Sequence, residues 1–525
     1  MTIEFIAFGA LLPRLPVRWV CNKKRMQSVA IIDDEESETV PPHIWRVHGR
    51  DYDLSSFVDD HPGGALMLLL GRGRDCTMFF EQYHVFNEPR KRLATYDVTP
   101  DGLRPPVPEC PSPFLVDVHA EVKAYFATHA KAVHGRRRGK ASWLQLVLMM
   151  LVLAMEVAAA YYWLAHDSVW AGVLAGFAGT LCMENMGHDA CHGALTRFPA
   201  VNTLAHFIGS VPWVSGQLSW LLQHVISHHC HTNEPGKDVD AHHFPFVRWH
   251  WGIVHEIAGG PIGAGLRNVF WHIFTCLIST IGMTLVHPLK FVFQPVLQIH
   301  CRSSGLGDAY KGGIGSATLP RHGSAFPPHK FESPFEKHAG TLALGGVPLR
   351  QPAVFAGNVF IWLLSAAALI APVVKAALVG GDLAFGVLLA VVPFFSSSLY
   401  FMGTTQISHI QEDCQSSATF AHTCPYKRQA CSSMDYWTNS RLTSFFTGAL
   451  NMQSIHHVLP SISLVHYIHL YPAFYRICER HGCAPHTASS PLSALAQNFA
   501  YVYRLGHGVR QYGAAPEIKP APELP

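Results

Sequence analysis

Long apolar runs constrain this chain more than any other feature. Residues 143–165, 169–186, 354–379 and 383–404 are each long and apolar enough to cross a bilayer. Only 14% of the 525 residues are charged and 49% are hydrophobic, with a mean hydropathy of +0.15. Soluble domains carry roughly a quarter charged residues, so this deficit indicates a membrane body rather than a larger soluble core. The net charge of +3 gives no reason to expect a nucleic-acid partner.

Histidine is the compositional outlier, with 34 residues. Three clusters lie near the ends of apolar runs or in the segments between them: His188-Asp-Ala-Cys-His192, His224-Val-Ile-Ser-His228-His229 and Gln453-Ser-Ile-His456-His457. His188 and His192, and likewise His224 and His228, are four apart. Gln453 and His456 are three apart. On a helix each pair shares one face, as a metal requires. If the clusters meet at one site, they share a side of the membrane. Two crossings before the first cluster and two more before the third satisfy this. A fifth apolar run, 269–285, would break the parity and is therefore expected to be interfacial or re-entrant. The run Arg136-Arg-Arg-Gly-Lys140 before the first crossing places that end, and all three clusters, in the cytosol.

Imidazole-rich sites suit iron, copper, zinc or nickel, and the ligands here suffice for two ions. The 13 cysteines are scattered, with no pairing that implies a disulfide framework or a thiolate zinc site, and are expected to be mostly reduced. The Glu-x-x-His pairs of carboxylate di-iron bundles are absent near these clusters.

Upstream lies Tyr52-Asp-Leu-Ser-Ser-Phe57-Val-Asp-Asp-His61-Pro-Gly-Gly64, followed by Phe80-Glu-Gln-Tyr-His84. This stretch resembles the cytochrome b5 haem-binding signature. The resemblance implies that His61 and His84 are the two axial ligands of a haem b. Such a haem passes electrons and has no open position for oxygen. Electrons from a haem imply a partner metal that changes oxidation state, so iron leads and zinc falls. The family's segment before His43 is shortened in this chain.

An N-terminal cytochrome b5-like module with boxes of the form HxxxH, HxxxHH and QxxHH resembles the front-end fatty acid desaturases. The likeness runs from about Val40 to about Gly506. By this resemblance His188, His192, His224, His228, His229, His456 and His457 bind two non-haem irons. His409, at the end of the last crossing, is a further ligand. Gln453 is a ligand or an adjacent hydrogen-bonding group, and Asp189 orients an imidazole of the first box. Asp238 and Asp240 sit where relatives often place acids; a solvated loop is the alternative. Val225 and Ser454-Ile455 depart from the commonest forms of the second and third boxes.

The expected fold is mainly α: a small α+β haem module, then a four-transmembrane-helix desaturase body with a cytosolic histidine-rich cap. The expected divisions are an extension (1–39), the haem module (40–104), a proline-rich and basic linker (105–140), the membrane domain (141–507) and a tail (508–525). Residues 1–26 make a poor signal peptide, lacking a basic start and interrupted by Pro13 and Pro16. The resemblance implies a fatty acyl lipid or acyl-CoA substrate, O2, NADH-cytochrome b5 reductase as electron donor, and the endoplasmic reticulum membrane. The expected product is a cis double bond placed between an existing one and the carboxyl end. A sphingolipid long-chain-base desaturase and a lipid hydroxylase are the alternatives.

Overall fold

The computed structural model describes residues 40–507, except 42, 88, 104, 106–111, 129–138, 214–216, 235–237, 239, 241–246, 251–260 and 286–350. The terminal extension and tail, residues 106–111 and 129–138 of the linker with the triple arginine, and residues 286–350 therefore lie outside the described residues.

The haem module opens with strands β1 (Trp45–Val47) and β2 (Arg50–Tyr52), paired antiparallel with Trp45 opposite Tyr52. His48 and Gly49 join them, with φ of 51° and 70°. A type I′ two-residue hairpin needs positive φ at both positions, which favours glycine at one of them. Helix α1 (Ala65–Leu70), strand β3 (Arg74–Asp75) and helix α2 (Thr77–Tyr83) follow, with β3 parallel to β1. Trp45, Leu69 and Leu70 are almost fully buried in a core that continues into membrane-domain residues such as Leu218 and Leu222. The module is thus packed onto the rest of the chain. Helix α3 (Pro113–Thr128) crosses from the module to the cap, where Phe114 packs against Phe474.

Helix α4 (Trp143–His166) begins at Ser142, whose hydroxyl accepts from the Gln145 N–H. Asp167 turns the chain at φ 52°, and Ser168 caps helix α5 (Val169–Cys182) in the same way. Winding then loosens to a π-helix over Met183–Gly187 and tightens again in α6 (His188–Cys191). Helix α7 (Pro199–Ser210) packs beside this segment, with Gly209 against Gly187. Helices α8 (Pro261–Leu285), α9 (Pro352–Leu378) and α10 (Leu383–His409) complete the apolar body. Small residues let backbones approach closely in such a body. A Cβ on Gly176 would lie 2.0 Å from the Pro393 carbonyl oxygen, and Thr180 bonds Ser397 at 2.7 Å.

Among the described residues four helices are long and apolar enough to cross a membrane: Trp143–His166, Gly263–Leu285, Pro352–Leu378 and Leu383–His409. This set differs from the sequence reading in two places. The run at 269–285 is the end of a helix that starts at Pro261, and the extra turns give it spanning length. Its Thr280 bonds the Phe394 carbonyl and the Ser398 hydroxyl of α10, so this part of the helix packs beside that one. The run at 169–186 is helical throughout, but its α-helix is cut at Cys182 by the π turn.

The cap comprises strand β4 (Met434–Tyr436), helix α11 (Gln453–Val458), helix α12 (Tyr467–Arg480), strand β5 (His486–Ala488) and helix α13 (Pro491–Gly506). Strands β4 and β5 pair in parallel.

Candidate metal centres

His61 and His84 face each other with ring centres 6.4 Å apart. His61 Nδ1 bonds the Gly64 carbonyl at 3.1 Å, and His84 Nδ1 bonds the Phe80 carbonyl at 2.7 Å. Each ring is thereby fixed with Nδ1 protonated and Nε2 free. Two imidazoles on opposite faces of one iron, with metal–nitrogen bonds of about 2 Å, put their ring centres about 6 Å apart. The pair fits a six-coordinate haem. Both glycines of the HPGG turn are sterically required. A Cβ on Gly63 would lie 2.7 Å from the His61 ring; Gly64 has φ 93°, and a Cβ there would lie 2.8 Å from Pro199.

The three boxes converge as expected, and with His409 they form two groups among the described residues. His188, His192, His224, His229 and His456 form one; His228, His409 and His457 form the other. All eight rings are buried. Within the first group Nε2 of His224 lies 2.8 Å from that of His188, 3.1 Å from that of His192 and 3.2 Å from that of His229. Within the second, Nε2 of His409 lies 3.2 Å from that of His228 and 2.9 Å from that of His457. Neighbouring ligands on an octahedral ion, with bonds of about 2.1 Å, are about 3.0 Å apart. His456 Nε2 is buried with no hydrogen-bond partner. Such nitrogens, gathered away from water, fit metal ions.

The second box owes its geometry to a π-helix over Leu221–His228, in which the His229 N–H donates to the His224 carbonyl. At about 100° per residue an α-helix would point His229 about 140° away from His224. At the wider winding of roughly 82° per residue, His228 and His229 fall on either side of His224, within about 50°. The sequence spacing implied an α-helix here; π winding is what turns all three imidazoles inward. The third box is seated by Gly448 and Ala449, with φ of 54° and 56°. A Cβ on Gly448 would lie 2.6 Å from the Glu184 carbonyl oxygen, so this turn lies directly against the π segment of the first box.

Most rings are held by a second bond at Nδ1. His228 Nδ1 faces Asp238 at 3.1 Å, His457 Nδ1 bonds Thr232 at 2.8 Å and His409 Nδ1 bonds the Thr405 carbonyl at 2.7 Å. His456 Nδ1 bonds the Tyr467 oxygen at 3.2 Å, and that hydroxyl donates onward to the Leu459 carbonyl. Trp220 stacks on His224 with ring centres 4.7 Å apart. Burial, then neighbouring imidazoles, hold His192, His224, His229, His456 and His457 well below the usual histidine range, and His188 at about 3. They are neutral at physiological pH, the form that binds metal. Burial also opposes charge on His228, but Asp238 and Asp240 outweigh it and push that ring up to about 9.

Asp189 has different partners from those expected. Its carboxylate accepts from the Ser463 hydroxyl and the Leu464 N–H, tying the first box to the loop after the third instead of orienting an imidazole. Asp238 supports His228, and Asp240 lies with His224 and His228 in a third potential ligand group. Gln453 is buried on the same helix as His456 and His457, with its Oε1 unpartnered. His250 is buried against Phe420. Thr232, Tyr467 and Tyr83 were not legible as functional residues, because they meet their imidazoles only through tertiary folding.

A fatty acid desaturase family model matches residues 167–289 and 332–489, and a cytochrome b5-like haem/steroid-binding model matches residues 35–100. The chain belongs to the fatty acid desaturase family. This desaturase is 30% identical to an acyl-lipid omega-13 desaturase of Chlamydomonas reinhardtii, over 85% of its own length and 89% of the relative's. It is 25% identical to a Delta(5) fatty acid desaturase A of Dictyostelium discoideum, over 88% and 90%. It is also 25% identical to an acyl-lipid (8-3)-desaturase of Mortierella alpina, over 80% and 84%. The protein is an oxidoreductase with a fused cytochrome b5-like domain.

Proposed function

We propose that the desaturase inserts a cis double bond into a polyunsaturated acyl-lipid, on the carboxyl side of an existing double bond, using O2 and electrons delivered through its own haem domain. The observation that carries this reading is the facing pair His61/His84 in a module that packs, within one chain, onto the domain holding eight converging imidazoles. The acyl-lipid substrate is carried over from the relatives, which are acyl-lipid desaturases.

His61 and His84 would hold haem b. The five-histidine and three-histidine groups would each hold one non-haem iron, with Gln453 beside the third box. Iron bound there supplies the oxygen activation that unactivated methylene groups require. The chain's own residues fix that site. Asp238, Thr232, Tyr467 and the Thr405 carbonyl keep Nδ1 protonated and Nε2 directed at the metal. Packing of the haem module over the boxes shields them from water, and the apolar body receives the acyl chain. Each turnover removes two hydrogens from adjacent carbons and consumes O2, two electrons and two protons, releasing water. NADH-cytochrome b5 reductase would supply the electrons. The endoplasmic reticulum membrane, with haem module and boxes in the cytosol, is the proposed location.

Lipid profiling of yeast expressing this chain tests the reading. Cultures would be fed a panel of polyunsaturated acids, and sphingoid bases analysed in parallel. A new double bond on the carboxyl side of a fed acid is expected. A new bond or hydroxyl confined to sphingoid bases would refute the acyl assignment.

A further inference from the structure

Three consecutive residues at the end of α2 face three different places. Gln82 is fully buried, and its side-chain amide donates to the His457 carbonyl at 2.8 Å and the His229 carbonyl at 3.4 Å. Its own backbone carbonyl accepts from Ser461 at 2.7 Å. Tyr83 places its hydroxyl 2.7 Å from His192 Nδ1. His84 turns the other way, toward His61. Around these contacts Gly64 lies against Pro199, and the module's core is continuous with that of the membrane domain.

The geometry points to Tyr83 as the bridge by which an electron passes from the haem held by His84 to the metal held by His192. This inference rests on the haem-and-iron reading above. The route is short. It runs along the backbone from His84 to Tyr83, through the phenol ring, across one hydrogen bond and through the His192 imidazole. With Nε2 given to a metal, His192 keeps its proton on Nδ1 and donates it to the Tyr83 oxygen. Among the described residues, no other ligand imidazole hydrogen-bonds a haem-module side chain. Gln82 meets only backbone carbonyls of the boxes, so docking and coupling are carried by neighbouring but separate side chains.

The step is a one-electron transfer. A haem held by His61 and His84 would give up one electron, and the metal held by His192 would take it up. Tyr83 keeps its hydroxyl proton and is not itself oxidised. An external one-electron donor refills the haem; dithionite serves in the test. Tyr83 acts through His192 and is a positioning residue.

Stopped-flow spectroscopy of the purified full-length protein, loaded with haem and iron, tests the assignment. Wild type, Tyr83→Phe and Ser461→Ala would be reduced with stoichiometric dithionite and mixed with O2 and a polyunsaturated acyl-lipid, following haem re-oxidation in the Soret band. The expected result for Tyr83→Phe is re-oxidation slowed about tenfold or more, with unchanged Soret maximum, haem midpoint potential and iron content. Ser461→Ala removes a docking bond but not the bridge, and its rate should stay within about twofold of wild type. Re-oxidation of Tyr83→Phe at the wild-type rate would overturn the proposal. So would equal slowing in Ser461→Ala, or slowing of Tyr83→Phe that tracks lost iron or a shifted potential, because the contact would then be structural. Failure of the underlying reading is separately visible, as a wild-type protein without a Soret band or without iron before mixing.

Discussion

The haem pocket takes both imidazoles from one short stretch, His61 to His84, and each ring is steadied by a backbone carbonyl three or four residues away. The eight-imidazole pocket draws on segments from His188 to His457; His409 leans on the Thr405 carbonyl of its own helix, but four other rings lean on Asp238, Thr232, Tyr467 and Tyr83, none of them in the same helical turn as its imidazole. The first site takes both imidazoles and their supports from one module. The second exists only when the apolar helices, the two π segments and the cap are assembled together. A substitution near His61 should therefore act on one cofactor, whereas substitutions across a wide span of sequence should converge on the other.

The largest expected effect is at the shared pocket. His228→Ala or His456→Ala should remove activity to background and lower iron content while leaving the Soret band unchanged. Metal analysis and an absorption spectrum of one preparation check this; normal iron content would dissolve the ligand assignment. His61→Ala should do the reverse, abolishing the Soret band and electron entry while the non-haem iron stays. A parallel loss of iron would show that the two sites are not separable. Asp238→Asn keeps the shape of the acid but removes the charge beside His228 Nδ1. It should weaken iron retention about 10- to 100-fold, read by chelator competition. Tyr467→Phe removes a neutral bond and should have the smallest effect, about fivefold in the same assay. If Tyr467→Phe matched Asp238→Asn, the charge would not be what steadies the ring.

This contrast also explains what the sequence revealed. HPGG and the following His84 are contiguous text, so the haem pair was legible residue by residue. The boxes were legible as converging histidine clusters because each is itself a short motif, and His409 was added to them through resemblance. Their supports were not legible. Tyr83 meets His192 and Tyr467 meets His456 only through tertiary folding, and neither residue type announces that role. Asp189 illustrates the opposite error: adjacency to His188 implied a partner in the imidazole, but the carboxylate reaches Ser463 and Leu464. The π winding was also hidden, because HxxxHH reads equally well on an α-helix until the direction of His229 is required. The apolar runs gave the body of the fold. The length of the helix ending at Leu285 was missed because its first turns, from Pro261, are less apolar than the rest.

The most direct test of the whole account is turnover by the purified full-length chain in lipid, supplied with NADH, its reductase, O2 and a polyunsaturated acyl-lipid but no separate cytochrome b5, with the product's double bonds located by mass spectrometry. The account predicts one new cis double bond between the carboxyl end and the existing unsaturation. Turnover that appears only when cytochrome b5 is added, or a new bond on the methyl side, would contradict it.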